Sequence, residues 1–307
     1  MPPTITQAHP PLTLDEISAL IGEFQSTSLE GKQGIIRRLI DVHPIMNLQW
    51  GQDWRYRRVR ILGEDEVPET VDELIWRRNV PAKLGRANPH GFQVLYLADR
   101  LDTALREVGA TRDHVVIAEF QILPGKSIRV APVGELTQIQ RTGRGFLSGE
   151  TSSAITKMLN VCAPAEAKAL LIADAFLLEC LTNASDDYEV SSTVARGIFD
   201  KVEEINTISY PSRRQFGAIN FAVRVERFWE SWGLSSVRRA QAIHLAQGYY
   251  SLTNVVHVDG IANAGNLRWR FESDESEISV LQLGPLWTPQ PRTDRHSGFP
   301  RGLIADS

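Results

Sequence analysis

Two arginines, a tyrosine, a glutamate and a serine carry the chemistry this chain offers. Arg57 lies in the alternating stretch Arg55-Tyr56-Arg57-Arg58-Val59-Arg60-Ile61. Arg86 stands in the loop Gly85-Arg86-Ala87-Asn88-Pro89-His90-Gly91. Tyr96 sits inside the apolar run 92–98, Glu107 on the helical stretch that follows, and Ser212 in Tyr210-Pro211-Ser212-Arg213. A guanidinium is a planar fork for phosphate or carboxylate. A tyrosine ring such as Tyr96 or Tyr56 stacks on a flat heterocycle. A carboxylate holds sugar hydroxyls and stabilises a developing oxocarbenium ion. Together these parts suit a nucleotide that carries a phosphate and a ribose. Each also has a plainer role. Arginines protect edge strands, a helical glutamate is ordinarily a solvated charge, a tyrosine in an apolar strand is often core, and Pro-Ser forms turns.

The elements that must position these residues are legible from periodicity. Thr13 and Glu16 form a capping-box pattern ahead of an apolar stripe at Leu14, Ile17, Leu20, Ile21 and Phe24. A second helix is expected over 29–42, ended by Pro44. Strands are expected at 55–61, 92–98, 115–122, 127–130 and 218–223, with a short helix at 99–108 between the second and third. Helices are expected at 154–159 and 165–181, the latter apolar enough to be largely buried. A helix is also expected at 238–250. Residues 1–10 read as loose, and the Pro- and Gly-rich chain from Pro285 as an extended tail. Strands around a long helical insert indicate an α+β protein rather than a regular βαβ series.

Composition excludes several classes. The 307 residues are 42% hydrophobic and 23% charged, which suits a folded globular chain. A formal net charge of −4 argues against a general nucleic-acid binder. Two cysteines, Cys162 and Cys180, are too few for a disulfide scaffold, and seven scattered histidines give no metal-ligand spacing, so no metal is expected. No phosphate-binding Gly-x-x-x-x-Gly-Lys loop occurs, and Gly143-Arg144-Gly145 lacks the third glycine of a dinucleotide fingerprint. The longest apolar run, 169–181, is interrupted by Asp174 and Glu179 and is too short for a membrane span. The start Met1-Pro2-Pro3-Thr4 has neither a basic nor an apolar leader region, so a cytoplasmic protein with reduced thiols is expected.

Three blocks make the chain resemble the RES-domain family, named for an Arg, a Glu and a Ser. The first is Tyr56-Arg57-Arg58-Val59-Arg60. The second runs from Gly85-Arg86-Ala87-Asn88 through Tyr96-Leu97-Ala98 to Ala104-Leu105-Arg106-Glu107, with Glu107 eleven residues after Tyr96. The third is Ile208-Ser209-Tyr210-Pro211-Ser212-Arg213. The resemblance spans about residues 50–230. It implies a split β core like that of ADP-ribosyltransferase toxins, with a helical insert. It also implies cleavage of NAD at the nicotinamide–ribose bond by phosphorolysis or hydrolysis, with NAD as substrate and inorganic phosphate as a co-substrate. By motif it assigns catalytic roles to Arg57, Glu107 and Ser212, and dinucleotide contacts to Arg86, Tyr96 and Tyr56. Members of the family are often toxins held in check by an Xre-like antitoxin protein, and a homo-oligomer is a further expected partner state. Transfer of ADP-ribose to a protein, and an inactive module that binds ADP-ribose or a protein, are the alternative readings. The expected organisation is an N-terminal helical hairpin over 1–48, the RES-like domain over 49–260 and a C-terminal extension over 261–307. The acidic stretch from Glu64 to Glu73 reads as an insertion that could cover the site.

Overall fold

A computed structural model describes residues 2–76, 80–182, 188–270 and 286–289. The chain runs α1 (Ile5–Ala8), α2 (Leu14–Phe24), α3 (Leu29–Val42), β1 (Leu48–Trp50), β2 (Tyr56–Leu62), β3 (Val94–Ala98), α4 (Leu101–Glu107), β4 (Arg112–Ile122) and β5 (Ile128–Pro132). It continues through α5 (Glu135–Thr142), α6 (Ser152–Asn160), α7 (Pro164–Thr182), α8 (Tyr188–Lys201), β6 (Thr207–Pro211), β7 (Ile219–Arg224), β8 (Trp232–Ala246), β9 (Tyr249–Ile261) and β10 (Leu267–Arg270). This is a mixed α/β protein. Its strands form one ten-stranded sheet in the order β1-β5-β6-β7-β3-β2-β4-β8-β9-β10.

That sheet is nearly two sheets. β3 pairs with β7 along its whole length, from Val94↔Arg224 to Ala98↔Asn220. β2 pairs with β4 from Tyr56↔Phe120 to Leu62↔His114. Between them β2 and β3 share one pair, Arg57↔Ala98. Beyond it the strands diverge and leave a seam.

The apolar packing lies in separate clusters on the two faces of the sheet. Ile17, Leu20 and Phe24 of α2 and Ile36 and Leu39 of α3 meet Phe176 and Leu177 of α7 and Val194 and Ile198 of α8. The cluster reaches the sheet at Ile208 and Ala222. Phe24 and Phe176 meet edge to face with centroids 5.0 Å apart. The N-terminal helices therefore bury their stripes in the same core as the sheet. On the opposite face, Tyr56, Phe120, Phe228 and Trp232 form an aromatic cluster that reaches across both halves to Leu95, Leu97 and Phe221, with Phe228 and Trp232 stacked at 5.5 Å. The run Val94-Leu95-Tyr96-Leu97-Ala98 is apolar on both faces because both faces are covered.

Several expectations change. Residues 238–250 are not helical: β8 and β9 form a long hairpin there. Ser235 is an extra residue opposite the Glu119/Phe120 step, and a second irregularity falls between Arg239 and Gln241. These bulges break the apolar alternation that marks a strand. Residues 5–8 form a short helix, closed by a Thr4–Gln7 capping box. Helix α5 begins at Gly134, whose left-handed backbone starts a turn capped from a distance: Asp174 of α7 accepts the amide protons of Gly134 and Thr137. No local cap marks it in the sequence. Apart from residues 286–289, where Trp287 pairs with Leu234, the tail lies outside the described residues.

Lys201, the last residue of α8, clasps the C-terminal end of α3. Its ammonium donates to the carbonyls of Ile40, Asp41 and His43 at 2.6, 2.9 and 2.8 Å. His43 is buried (5% exposed) and its Nδ1 has no hydrogen-bond partner. Burial, aided by the Lys201 charge, pulls its pKa down to about 4. The unfolded chain then takes up this proton below pH ~6.5 while the folded chain stays neutral, so folding weakens as pH falls from ~6.5 towards 4, with a slope of at most about 1.4 kcal/mol per pH unit. Urea unfolding between pH 7.5 and 4.5 is expected to show this loss, and a His43→Leu variant a shallower one. Parallel curves for the two proteins would refute the assignment.

Candidate active site

A cavity of about 460 Å³ occupies the seam between β2 and β3. Its volume is within the usual range of small-molecule sites, about 300–1,000 Å³. Every residue from Arg57 to Ile61 lines it. Successive side chains of a strand point to opposite faces, so a wall built from five in a row is the strand's edge. Backbone groups that would have paired with β3 face the cavity.

Glu107 lines this cavity at the end of α4, which stops at Gly109 with φ +71°. Ser212 Oγ donates to Glu107 Oε1 at 2.6 Å, and Asn220 Nδ2 donates to the same oxygen at 2.7 Å. Ser212 Oγ in turn accepts the amide protons of Arg214 and Gln215 at 3.2 and 3.1 Å. Those amides leave the serine's single proton aimed at the carboxylate. Glu107 is thus held by one oxygen, and Oε2 carries no hydrogen bond among the described residues. Asn220 belongs to β7, paired with Ala98 on one side and Tyr210 on the other. It was not singled out in the sequence. Its only signal was an amide inside the apolar run Ala218-Ile219-Asn220-Phe221-Ala222-Val223.

The arginines separate into different duties. Arg57 lines the cavity, but its Nε donates to Glu119 Oε1 at 3.0 Å and its Nη1 to the carbonyls of Arg55 and Asp99, both at 2.8 Å. Glu119 also faces Arg55 at 3.6 Å, Arg238 at 3.9 Å and Ser236 Oγ at 3.1 Å. Burial opposes its ionisation, yet the Arg57 charge and hydrogen bond, with Arg238 and Ser236, outweigh burial and hold its pKa below the ordinary value. Arg57 therefore fastens the one point where β2 and β3 meet.

Its neighbour Arg58 lines the cavity with no hydrogen bond or ion pair among the described residues. Burial, then the adjacent Arg60 charge, pulls its pKa down to about 10, while Tyr96 opposes the shift. A half-buried cation without a counterion favours an anion beside it. Arg60 donates to Glu66 Oε1 at 2.5 Å and lies 4.0 Å from Glu73, both in the acidic insertion, while its Nε and Nη2 are buried without a hydrogen bond. Glu66 and Glu73 are thus seated on a cavity-lining arginine.

Arg86 donates to the Leu181 carbonyl at 3.0 Å and lies over the Tyr188 ring, 5.6 Å from its centroid. Tyr96 lines the cavity with its ring, but its hydroxyl is committed: it accepts the Ala87 amide proton and donates to Asn88 Oδ1, both at 2.8 Å. This tyrosine pins the loop that carries Arg86. Gly85 is tightly enclosed there, since an added Cβ would lie 2.6 Å from Asn88 Oδ1 and 2.9 Å from the Tyr96 hydroxyl. Tyr188 and Tyr210 complete the lining.

Tyr56 does not reach the cavity. It precedes the point where the strands part, and its ring is wedged edge-on between Phe221 and Trp232 at 5.0 and 4.9 Å. Its contribution is to the core, in place of the dinucleotide contact expected of it. Among the described residues no group of three or more His, Cys, Asp or Glu could hold a metal ion, and no helix is long and apolar enough to cross a membrane.

A mixed α/β domain whose sheet parts around a held carboxylate and a cluster of arginines is the class that this fold and site define. The chain belongs to the RES-domain family: the family model described as RES domain matches residues 60–231. That span includes Arg60, Arg86, Tyr96, Glu107, Ser212 and Asn220, while Arg57 and Arg58 precede it. No curated protein matches the chain.

The duties of two adjacent arginines can be separated by stability. Glu119→Ala leaves Arg55, Arg57 and Arg238 facing one another and is expected to cost about 3 kcal/mol. Arg58→Gln removes a half-buried charge that has no counterion among the described residues and is expected to leave stability equal or higher. Urea midpoints for the two variants provide the measurement. A large loss with Arg58→Gln would show that it braces the fold.

Proposed function

We propose that this domain cleaves NAD at the bond between nicotinamide and ribose. The observation that carries this reading is Glu107, fixed through Oε1 by Ser212 and Asn220 and lining the same cavity as Arg58, Arg60 and Arg86. A dinucleotide supplies what each side requires. Its pyrophosphate answers the arginines, and Arg58, which forms no hydrogen bond or ion pair among the described residues, takes the anion-holding role that the family resemblance gave to Arg57. Its nicotinamide ribose answers the carboxylate. A split β core of the ADP-ribosyltransferase type is the reading of the seam that accords with this.

The reaction breaks the C1′–N bond, and the bonding electron pair leaves with the pyridine nitrogen. Nicotinamide departs neutral, so no strong general acid is required. Positive charge develops at C1′ and the ring oxygen, and the carboxylate of Glu107 stabilises it while Oε2 accepts a ribose hydroxyl. An oxygen of water or inorganic phosphate forms the new bond at C1′ and releases one proton to solvent. Ser212 and Asn220 keep the carboxylate oriented, and the arginines hold the substrate in register. Loss of cellular NAD would stop growth, which accords with a toxin of a toxin–antitoxin pair.

Purified protein incubated with NAD is expected to release nicotinamide together with ADP-ribose, or ADP-ribose 1″-phosphate when phosphate is present. Glu107→Gln is expected to lower turnover at least about 100-fold with the fold intact. Arg58→Gln is expected to act mainly on KM. Expression of the wild-type chain should arrest growth, and expression of the Glu107→Gln chain should not. NAD that stays intact over hours at high protein concentration, with and without phosphate, would sink the reading. Label from NAD appearing on a macromolecule in place of free product would redirect it to ADP-ribose transfer.

A further inference from the structure

Three tyrosines line the cavity, Tyr96, Tyr188 and Tyr210, and they differ in what their side chains are free to do. The Tyr96 hydroxyl is spent on Ala87 and Asn88. Tyr188 is half-buried, with its ring under the Arg86 guanidinium. Tyr210 is only 4% exposed, yet its hydroxyl forms no hydrogen bond among the described residues. Nor is that hydroxyl one of the polar atoms sealed from solvent without a partner. The little surface it keeps therefore belongs to the cavity that Tyr210 lines.

Strand register groups Tyr210 with the residues that hold Glu107. On β6 it lies directly opposite Asn220 of β7, and residues paired in this way share a face of the sheet. Ser212 stands two residues further on, and its amide donates to the Ala218 carbonyl, so the ladder continues to it. The period of two puts Ser212 on the face of Tyr210 and Asn220. Two members of this group, Ser212 and Asn220, donate to Glu107 Oε1. The third donates to no protein atom among the described residues. Burial pushes the Tyr210 pKa well above the ordinary phenol value, and nearby Tyr96 and Glu107 add to the shift, so the group stays protonated and can donate.

A carboxylate oxygen that only accepts and a phenol with a proton to give can both be answered by one ligand group. A hydroxyl donates once and accepts twice, and so joins the two. A phosphate oxygen would accept from the phenol but be repelled by the carboxylate. We propose that Tyr210 is a substrate-binding residue whose Oη donates to the sugar hydroxyl that Glu107 Oε2 holds. The proposal rests on the ribose placement given above, and it makes Tyr210 a determinant of specificity for a sugar at the Glu107 end of the cavity.

The test titrates the intact chain and its Tyr210→Phe variant calorimetrically with ADP-ribose and with ADP, which lacks the terminal sugar. NAD cleavage is followed on the same preparations. The substitution removes an oxygen that bonds no protein atom among the described residues, so the melting temperature is expected to hold. Affinity for ADP-ribose is expected to fall about fivefold or more, and affinity for ADP to stay as it was. Equal losses for the two ligands overturn the proposal in favour of a general disturbance of the cavity. Unchanged ADP-ribose affinity in a chain that cleaves NAD overturns this contact alone. If KM for NAD then rises, the phenol serves the nicotinamide carboxamide instead. A loss for ADP-ribose but not ADP, in a wild-type chain that leaves NAD intact, supports the contact and ends the cleavage reading. A wild-type chain that binds neither ligand overturns both.

Discussion

The architecture depends on one contact between strands. At Arg57↔Ala98 the two halves of the sheet are stitched together, and beyond it they part. A sheet continuous through β2 and β3 would have no cavity at that place, because the strand edges would satisfy each other. A sheet without the stitch would leave the walls unregistered. Glu119 secures that point by drawing Arg57, Arg55 and Arg238 towards one carboxylate. The ion pair and the cavity are two aspects of the same design: a fastened hinge point and an open edge beyond it.

Polar groups around the seam fall into those the fold consumes and those it leaves for a ligand. Arg57 through Nε and Nη1, the Tyr96 hydroxyl and the Ser212 hydroxyl are consumed by protein partners. Arg58 and Glu107 Oε2 are left over. A half-buried cation left unmatched adds little to a fold, and unmatched groups of this kind collect at functional sites. The acidic insertion complicates the balance by placing Glu66 on Arg60, so the cavity's positive charge is already partly neutralised from within.

Legibility in the sequence followed distance along the chain. Helices α2 and α3 were readable from apolar spacing and from the Thr13–Glu16 capping box, and the strand at Tyr96 from its continuous apolar run. The β8–β9 hairpin was not, because bulges broke its period and its Arg, Ala, Gln and Leu residues favour helix in isolation. Nor was α5, whose cap is an aspartate forty residues away. Within the site, Glu107 and Ser212 were marked by family motif, and the structure joins them directly. Asn220 escaped because a single amide in an apolar strand has many roles. Tyr56 misled because adjacency to Arg57 in sequence says nothing about which side of the seam a ring will occupy.

By itself, the sequence determined which residue types were present, where apolar periodicity would make helices and strands, and which family the chain resembles. These are local properties, set by side-chain chemistry and spacing. Only the tertiary structure decided which of four neighbouring arginines is braced and which is unmatched, which oxygen of Glu107 is held, and where the sheet opens. Those outcomes depend on partners tens of residues distant, such as Glu119 for Arg57 and Asn220 for Glu107. A guanidinium's role is fixed by the acceptors that surround it in space, and the linear order of the chain does not record them.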